Sequence, residues 1–147
     1  MATWSESRRR AWAAAALEQL AEKQSVYLHG GCVGIAVVMH RLTGWPLFGL
    51  FGFDEDVGRE VLIHAYVRPD AGTVVDLKGP RAYDEMLHDF WDDPAMLEAG
   101  EAPTTMGEMA RMVYRARRCP VGPTEERLAR RVLDLTMLVR PDLRRPR

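Results

Sequence analysis

Hydrophobic positions along the chain follow two spacings, one typical of helices and one typical of strands. Apolar residues recurring every three or four positions predict helices at 5–22, 32–42, 82–91, 106–113 and 125–139. Short apolar or alternating segments predict strands at 47–53, 61–67 and 73–77. Helices therefore flank a small antiparallel sheet on both sides along the sequence. This order predicts an α+β fold rather than an alternating α/β one.

Residues with known preferences for element ends support these boundaries. Candidate helix caps are Ser5 or Ser7, Gly44, Thr105 with Glu108, and Thr124. The first helix is expected to bury Trp12, Ala16, Leu17 and Leu20. In the strand 61–67, one expected face carries Val61, Ile63, Ala65 and Val67, and the other carries Leu62, His64 and Tyr66. Lys78-Gly79-Pro80 is expected to end the sheet.

Length and composition indicate one ordinary globular domain. The 147 residues are 47% hydrophobic, and the segment 1–147 is interpreted as a single domain with an arginine-rich tail from about residue 140. No stretch reaches the roughly 18 apolar residues of a membrane span. The start does not read as a signal peptide. Two dissimilar cysteines are interpreted as thiols, so the expected location is the cytoplasm, or delivery from it as an effector.

Charge is balanced overall but unevenly distributed. The formal net charge of −1 gives no global field for nucleic acid, and Gly30-Gly31 lacks a phosphate-loop or dinucleotide pattern. Acidic residues dominate 54–101, and arginines dominate from residue 111 onward. These two regions are interpreted chiefly as solvated surface. The alternative is that the acidic 54–60 loop or the arginine-rich C-terminus docks a protein or an anionic partner.

Cys32 is placed where a thiol becomes a nucleophile. It follows two glycines and precedes the first apolar turn of the second predicted helix. A helix N-terminus stabilises a thiolate, lowering a cysteine pKa from about 8.5 toward roughly 3.5–7.5 in such settings. The backbone N–H of Cys32 would also be free to serve in an oxyanion hole.

His64 and Asp76 interrupt apolar strands that the sequence predicts to be neighbours. A buried carboxylate needs a partner, and His64 is the expected one. His64 lies directly opposite Asp76 if Val67 pairs with Thr73, which requires a hairpin loop of three or five residues. A four-residue loop would place Leu77 opposite His64 and turn Asp76 to the other face. In the productive register, Asp76 would orient an imidazole that accepts the thiol proton.

Gly31-Cys32 before a helix, His64-Ala65-Tyr66 on a strand and Val74-Val75-Asp76 on the next resemble the transglutaminase-like branch of the papain-fold cysteine enzymes. The resemblance covers about residues 28–80. It implies a papain-like core carrying a Cys-His-Asp triad of Cys32, His64 and Asp76. It also implies acyl chemistry through a thioester on a peptide or protein amide, with no metal and no organic cofactor. Hydrolysis, deamidation and transfer to an amine all remain open.

Several assignments stay open around this triad. Gln24 lies upstream of the cysteine, as a glutamine does in papain-like enzymes, and is the candidate oxyanion donor; Tyr27 and His29 are alternatives. A zinc site using His29 with the triad residues is disfavoured, because no C-x-x-C or H-E-x-x-H spacing is present. Cys119 is interpreted as structural. The alternative function is a catalytically inactive papain-fold binding module.

Overall fold

The computed structural model describes residues 4–24, 33–114 and 121–143, without the side chains of 113–114. Its helices are α1 (Glu6–Lys23), α2 (Val33–Thr43), α3 (Tyr83–His88), α4 (Met106–Ala110) and α5 (Pro123–Val139), with 3-10 turns at Pro94–Glu98 and Pro141–Leu143. Its strands are β1 (Leu47–Asp54), β2 (Arg59–Asp70), β3 (Thr73–Asp76), β4 (Gly79–Arg81), β5 (Gly100–Pro103) and β6 (Val113–Tyr114). The α+β class predicted from the sequence is confirmed.

The sheet has the antiparallel order β4-β3-β2-β1-β5, and the short β6 lies parallel to one end of β2. β2 is central, and seven consecutive residues of it, from Val61 to Val67, are buried. A strand whose two faces are both buried needs a layer on each side. Two separate hydrophobic clusters supply those layers.

The larger cluster packs α1, α2 and α5 against one face of the sheet. From the sheet it contains Leu47, Leu62, Ala65, Val67 and Val75, and it also contains Leu77, directly after β3. Every residue of α2 from Val33 to Met39 is buried, so this helix is enclosed by the sheet and its neighbouring helices rather than half exposed. A helix apolar all round is suited to such a central position.

The smaller cluster covers the other face of the sheet with α3 and the 3-10 turn Pro94–Glu98. Its buried members are Leu50, Val61, Ile63, Tyr66, Val74, Met86 and Ala95. On β3, Val74 belongs to this cluster and Val75 to the larger one, as the alternation of a strand requires. Asp76 therefore points toward the smaller cluster.

Local capping chemistry sets most helix ends where the sequence predicts them. The Ser5 hydroxyl accepts a hydrogen bond from the backbone N–H of Arg8, and the Thr105 hydroxyl accepts one from that of Glu108. Gly44 ends α2 with a φ of +74°, in the region that favours glycine. The final helix differs from expectation, because Gly122 rather than Thr124 is its N-cap.

Two sequence predictions about packing are wrong. Trp12 is 44% exposed, and the buried residues of α1 are Ala13, Leu17 and Ala21, so the prediction holds for Leu17 and fails for Trp12, while Ala16 and Leu20 are partly buried. Residues 78–80 do not end the sheet: β4 follows a tight turn and pairs with β3. Gly79 has a φ of +85° and lets the chain reverse direction there.

No helix in the described part of the chain is long and apolar enough to cross a membrane.

Candidate functional site

His64 and Asp76 form a buried pair at the centre of the sheet. Nε2 of His64 lies 2.8 Å from Oδ2 of Asp76, and each side chain is 3% exposed. An ionised carboxylate can only accept, so the hydrogen in this bond belongs to Nε2 of the imidazole. The predicted His64–Asp76 contact is therefore present.

The register that makes this contact differs from the predicted one. Val67 pairs with Val75 rather than with Thr73, and Asp70 pairs with Thr73 across a two-residue turn. Between these pairs, β2 contains one residue more than β3, which is a bulge at Arg68 and Pro69. Proline lacks an N–H and is tolerated at such a position.

The bulge decides which way Asp76 points. A regular ladder continued from the two-residue turn would place Asp76 on the face away from His64, because one position of slip reverses every side chain. The extra residue in β2 restores the shared face. His64 and Asp76 then meet diagonally across the two strands rather than directly opposite each other.

A second irregularity in β2 lies next to His64. Leu50 pairs with His64 but Phe51 pairs with Leu62, so Ile63 is an extra residue in β2. Side chains on the two sides of this bulge change phase, and Ile63 joins Tyr66 in the smaller cluster. The prediction that Val61, Ile63, Ala65 and Val67 share one face is wrong for this reason.

Asp76 is held as an anion by three donors. Besides His64, Nη2 of Arg81 lies 2.6 Å from Oδ2, and the backbone N–H of Lys78 donates to Oδ1 at 3.0 Å. Burial would raise the pKa of Asp76, but the hydrogen bond from His64 and the charge and hydrogen bond of Arg81 outweigh it and hold that pKa well below its usual range. The carboxylate is ionised at every physiological pH.

The imidazole of His64 lies among aromatic rings. Its centroid is 4.7 Å from that of Phe90, which follows α3, and 5.8 Å from that of Tyr66. The Tyr66 hydroxyl donates to Glu101 at 2.5 Å, and Arg68 forms an ion pair with the same carboxylate. Burial and the bond to Glu101 raise the pKa of Tyr66 far above its usual value, so this phenol stays neutral.

Nδ1 of His64 is buried and has no hydrogen-bond partner among the described residues. Because Nε2 carries the hydrogen, Nδ1 of the neutral ring presents an unused lone pair. A catalytic role is one of the explanations for a buried polar atom without a partner. This atom is the one available to accept a proton at the site.

Four candidates from the sequence, Cys32, Tyr27, His29 and Cys119, lie outside the described residues. Val33, the residue after Cys32, begins α2 and packs in the larger cluster, on the face of the sheet away from Asp76.

Gln24, the predicted oxyanion donor, is the C-cap of α1. Its backbone N–H bonds to the carbonyls of Leu20 and Ala21. No hydrogen bond joins it to His64 or Asp76 in the described part of the chain. The structure therefore brings His64 and Asp76 together and does not bring Gln24 to them.

The acidic loop predicted at 54–60 is a tight turn over 55–58, and it borders a cleft of about 540 Å³. The cleft is lined by carboxylates and a few apolar side chains: Phe53, Asp54, Glu55, Asp56, Asp93, Pro94, Leu97 and Glu98. No group of three or more His, Cys, Asp or Glu residues within the described ranges is arranged to hold a metal ion.

Sequence reasoning missed three residues of the site. Arg81 was hidden because β4 was not expected, Phe90 because its position over the sheet depends on tertiary packing, and Glu101 because it lies on an unpredicted edge strand. The only available signal for Arg81 was its proximity in sequence to a buried acid that needed a cationic partner.

Compared with known proteins, the chain matches no protein-family model, no curated protein and no solved structure.

Proposed function

We propose that this protein is a cysteine-dependent acyl enzyme that acts on an amide through a thioester, with Cys32, His64 and Asp76 as its triad. The observation that carries the proposal is the His64–Asp76 pair, whose Nδ1 has no hydrogen-bond partner within 4–24, 33–114 and 121–143. An ionised Asp76 fixes the tautomer in which Nε2 is protonated, which leaves Nδ1 as the base.

The proposed reaction has an acylation step and a deacylation step, and Nδ1 of His64 carries the proton in both. The Cys32 thiol gives its proton to Nδ1 of His64, and the thiolate attacks the amide carbonyl carbon. The tetrahedral oxyanion collapses, the C–N bond breaks, and the leaving amine takes the proton from Nδ1. Water then gives a proton to the same nitrogen and attacks the thioester carbon; the C–S bond breaks, the acid is released, and Nδ1 returns the proton to the Cys32 sulfur. An amine in place of water would give transfer instead.

The chemistry is consistent with the site's electrostatics. Proton transfer to His64 creates an imidazolium beside the Asp76 carboxylate, which is already ionised and held by fixed donors. Such preorganised charge needs little rearrangement as the reaction proceeds. The proposed substrate class is a peptide or protein carrying the amide.

The test is the alkylation rate of Cys32 by iodoacetamide from pH 4 to 10, in a Cys119→Ser background. We expect an inflection well below pH 8.5 that moves upward in His64→Ala, since removing the base removes the thiolate–imidazolium pair. His88→Ala is the matched control, because His88 is an exposed histidine whose ring packs against Trp91. His64→Asn, which keeps an amide beside Asp76, serves if the alanine variant does not fold.

An inflection at the ordinary thiol value, identical in the His64 and His88 variants, would overturn the enzymatic proposal. It would favour the second candidate, an inactive binding module. One observation supports that candidate: the His64 pair is buried on one face of the sheet, and Val33 packs on the other. The acidic cleft beside Phe53 and Leu97, which is 91% exposed, is then the surface for a basic protein partner.

A further inference from the structure

Arg81 connects the buried pair to the protein surface. Its side chain is 10% exposed and bridges two carboxylates, with Nη2 at 2.6 Å from Asp76 and Nη1 at 2.8 Å from Asp89. Lys78 lies 3.0 Å from the same Asp89. A continuous series of ion pairs therefore connects Asp76, the partner of His64, to Asp89 at the end of α3.

The strand register places Arg81 on the face of the pair. Arg81 is opposite Val74 on β3, and Gly79 is opposite Asp76. Val74 and Asp76 share a face because they are two positions apart, so Arg81 shares it as well. The guanidinium then reaches diagonally to Asp76, as the imidazole of His64 does from the other side.

Both donors use one oxygen. Nε2 of His64 and Nη2 of Arg81 each bond to Oδ2 of Asp76, while Oδ1 is occupied by a backbone N–H. A carboxylate bonded on both oxygens cannot rotate freely, so its orientation toward His64 is fixed. A proton gained by His64 would add a second positive charge within about 5 Å of the first.

We propose that Arg81 is a positioning residue of the site described above, which fixes the Asp76 carboxylate against His64 and opposes the build-up of positive charge on the imidazole. This inference rests on the proposed function, because it assigns Arg81 a part in tuning the base. Arg81 itself touches no reacting atom.

The charged groups around His64 define the expected effect. Asp76 faces His64 from β3 and Arg81 faces it from β4, while Asp89 contacts the far side of the Arg81 guanidinium. On the other side, the Tyr66 hydroxyl separates the imidazole from Glu101, which is paired with an arginine of its own. Removing the Arg81 charge alone leaves Asp76 unopposed, which favours the imidazolium.

The experiment follows the protonation of the His64 ring directly by nuclear magnetic resonance in a Cys32→Ser background. In Arg81→Gln, we expect the midpoint of the His64 titration to rise by about one to two pH units, because a nearby positive charge is lost. Arg81→Lys keeps the charge and should change the midpoint by less than half of that. Asp89→Asn keeps the bond between Arg81 and Asp76 and is the matched control.

An unchanged midpoint in Arg81→Gln overturns the inference. If circular dichroism shows that the glutamine variant is unfolded, Arg81→Met keeps the apolar stem and carries the same expectation and the same refutation. Alkylation of Cys32 separates the two proposals. If the reactivity of Cys32 depends on His64 but the midpoint of the His64 titration is the same with and without Arg81, only the role of Arg81 is overturned. If the reactivity of Cys32 is the same with and without His64, both proposals are overturned.

Discussion

Replacing Asp76 with asparagine removes a buried charge while keeping the shape of the side chain. Asp76 is 3% exposed and accepts from an imidazole, a guanidinium and a backbone N–H. Asparagine retains one acceptor oxygen but leaves Arg81, itself 10% exposed, without its nearer counter-ion. Breaking a buried ion pair on one side costs about 3–5 kcal/mol, and the retained oxygen places Asp76→Asn near the lower figure, at about 3 kcal/mol.

Asp89→Asn is the matched control for this substitution. It makes the same chemical change and affects the same arginine, but the side chain of Asp89 is 26% exposed. Water can replace much of that ion pair, so the expected loss is at most about 1 kcal/mol. Urea unfolding at pH 7, followed by tryptophan fluorescence, gives both free energies of unfolding from the midpoint and slope.

The pH dependence provides a second and sharper test. The pKa of Asp76 is lower in the folded protein than in the unfolded chain, where it is about 3.9. Its contribution to stability is therefore fully present above pH 4 and is lost as the pH falls toward the folded-state value. The free-energy difference between wild type and Asp76→Asn should shrink steadily below pH 4. A loss no larger than that of Asp89→Asn, or a difference that is constant from pH 7 to pH 3, would refute the reasoning.

Two further predictions concern the packing around the site. Gly52→Ala should lower the free energy of unfolding by about 1–3 kcal/mol, because the added carbon would lie 2.3 Å from the backbone oxygen of Ala95. Gly100 has open space around it, so Gly100→Ala should lower the free energy of unfolding far less. Equal losses in urea unfolding would contradict this explanation. Tyr66→Phe should remove a stability loss that the wild type shows above about pH 10. Burial and Glu101 raise the pKa of Tyr66 in the folded state, so the unfolded chain releases its proton first and stability declines as pH rises. Urea midpoints at pH 8 and pH 10.5 measure this, and parallel declines in the two proteins would count against it.

Periodicity predicted the elements because it reports burial directly. The long helices and the three principal strands lie within a few residues of their predicted bounds, since each has a sustained apolar pattern or a recognisable cap. The short strands β4 and β5 have neither: Gly79-Pro80-Arg81 contains the two residues most typical of breaks. Pairing with an existing strand overrode that local preference.

Trp12 shows a different limit of sequence patterns. Its large apolar side chain fits the helical spacing of the first helix, yet it lies on the surface next to Trp4 and beneath the guanidinium of Arg131. The neighbouring stripe of Ala13, Leu17 and Ala21 is smaller and allows α5 to approach closely. Hydrophobicity identifies the residues that could be buried, but the shape of the opposing helix decides which of them are buried.

The candidate site contains two irregularities that no pattern of alternating residues reveals. Without the extra residue at Arg68 and Pro69, Asp76 would point away from His64, and the extra residue at Ile63 puts Ile63 on the face of His64. The first bulge lets the pair meet on one face, and the second changes which side chains of β2 pack beside it. A buried acid and a buried histidine on adjacent strands were sufficient to predict the contact, because each needed a polar partner. The strand register that makes the contact could not be predicted, since it depends on the turn and on the bulges. The demand for a polar partner in an apolar interior is a stronger constraint on these strands than regular pairing is.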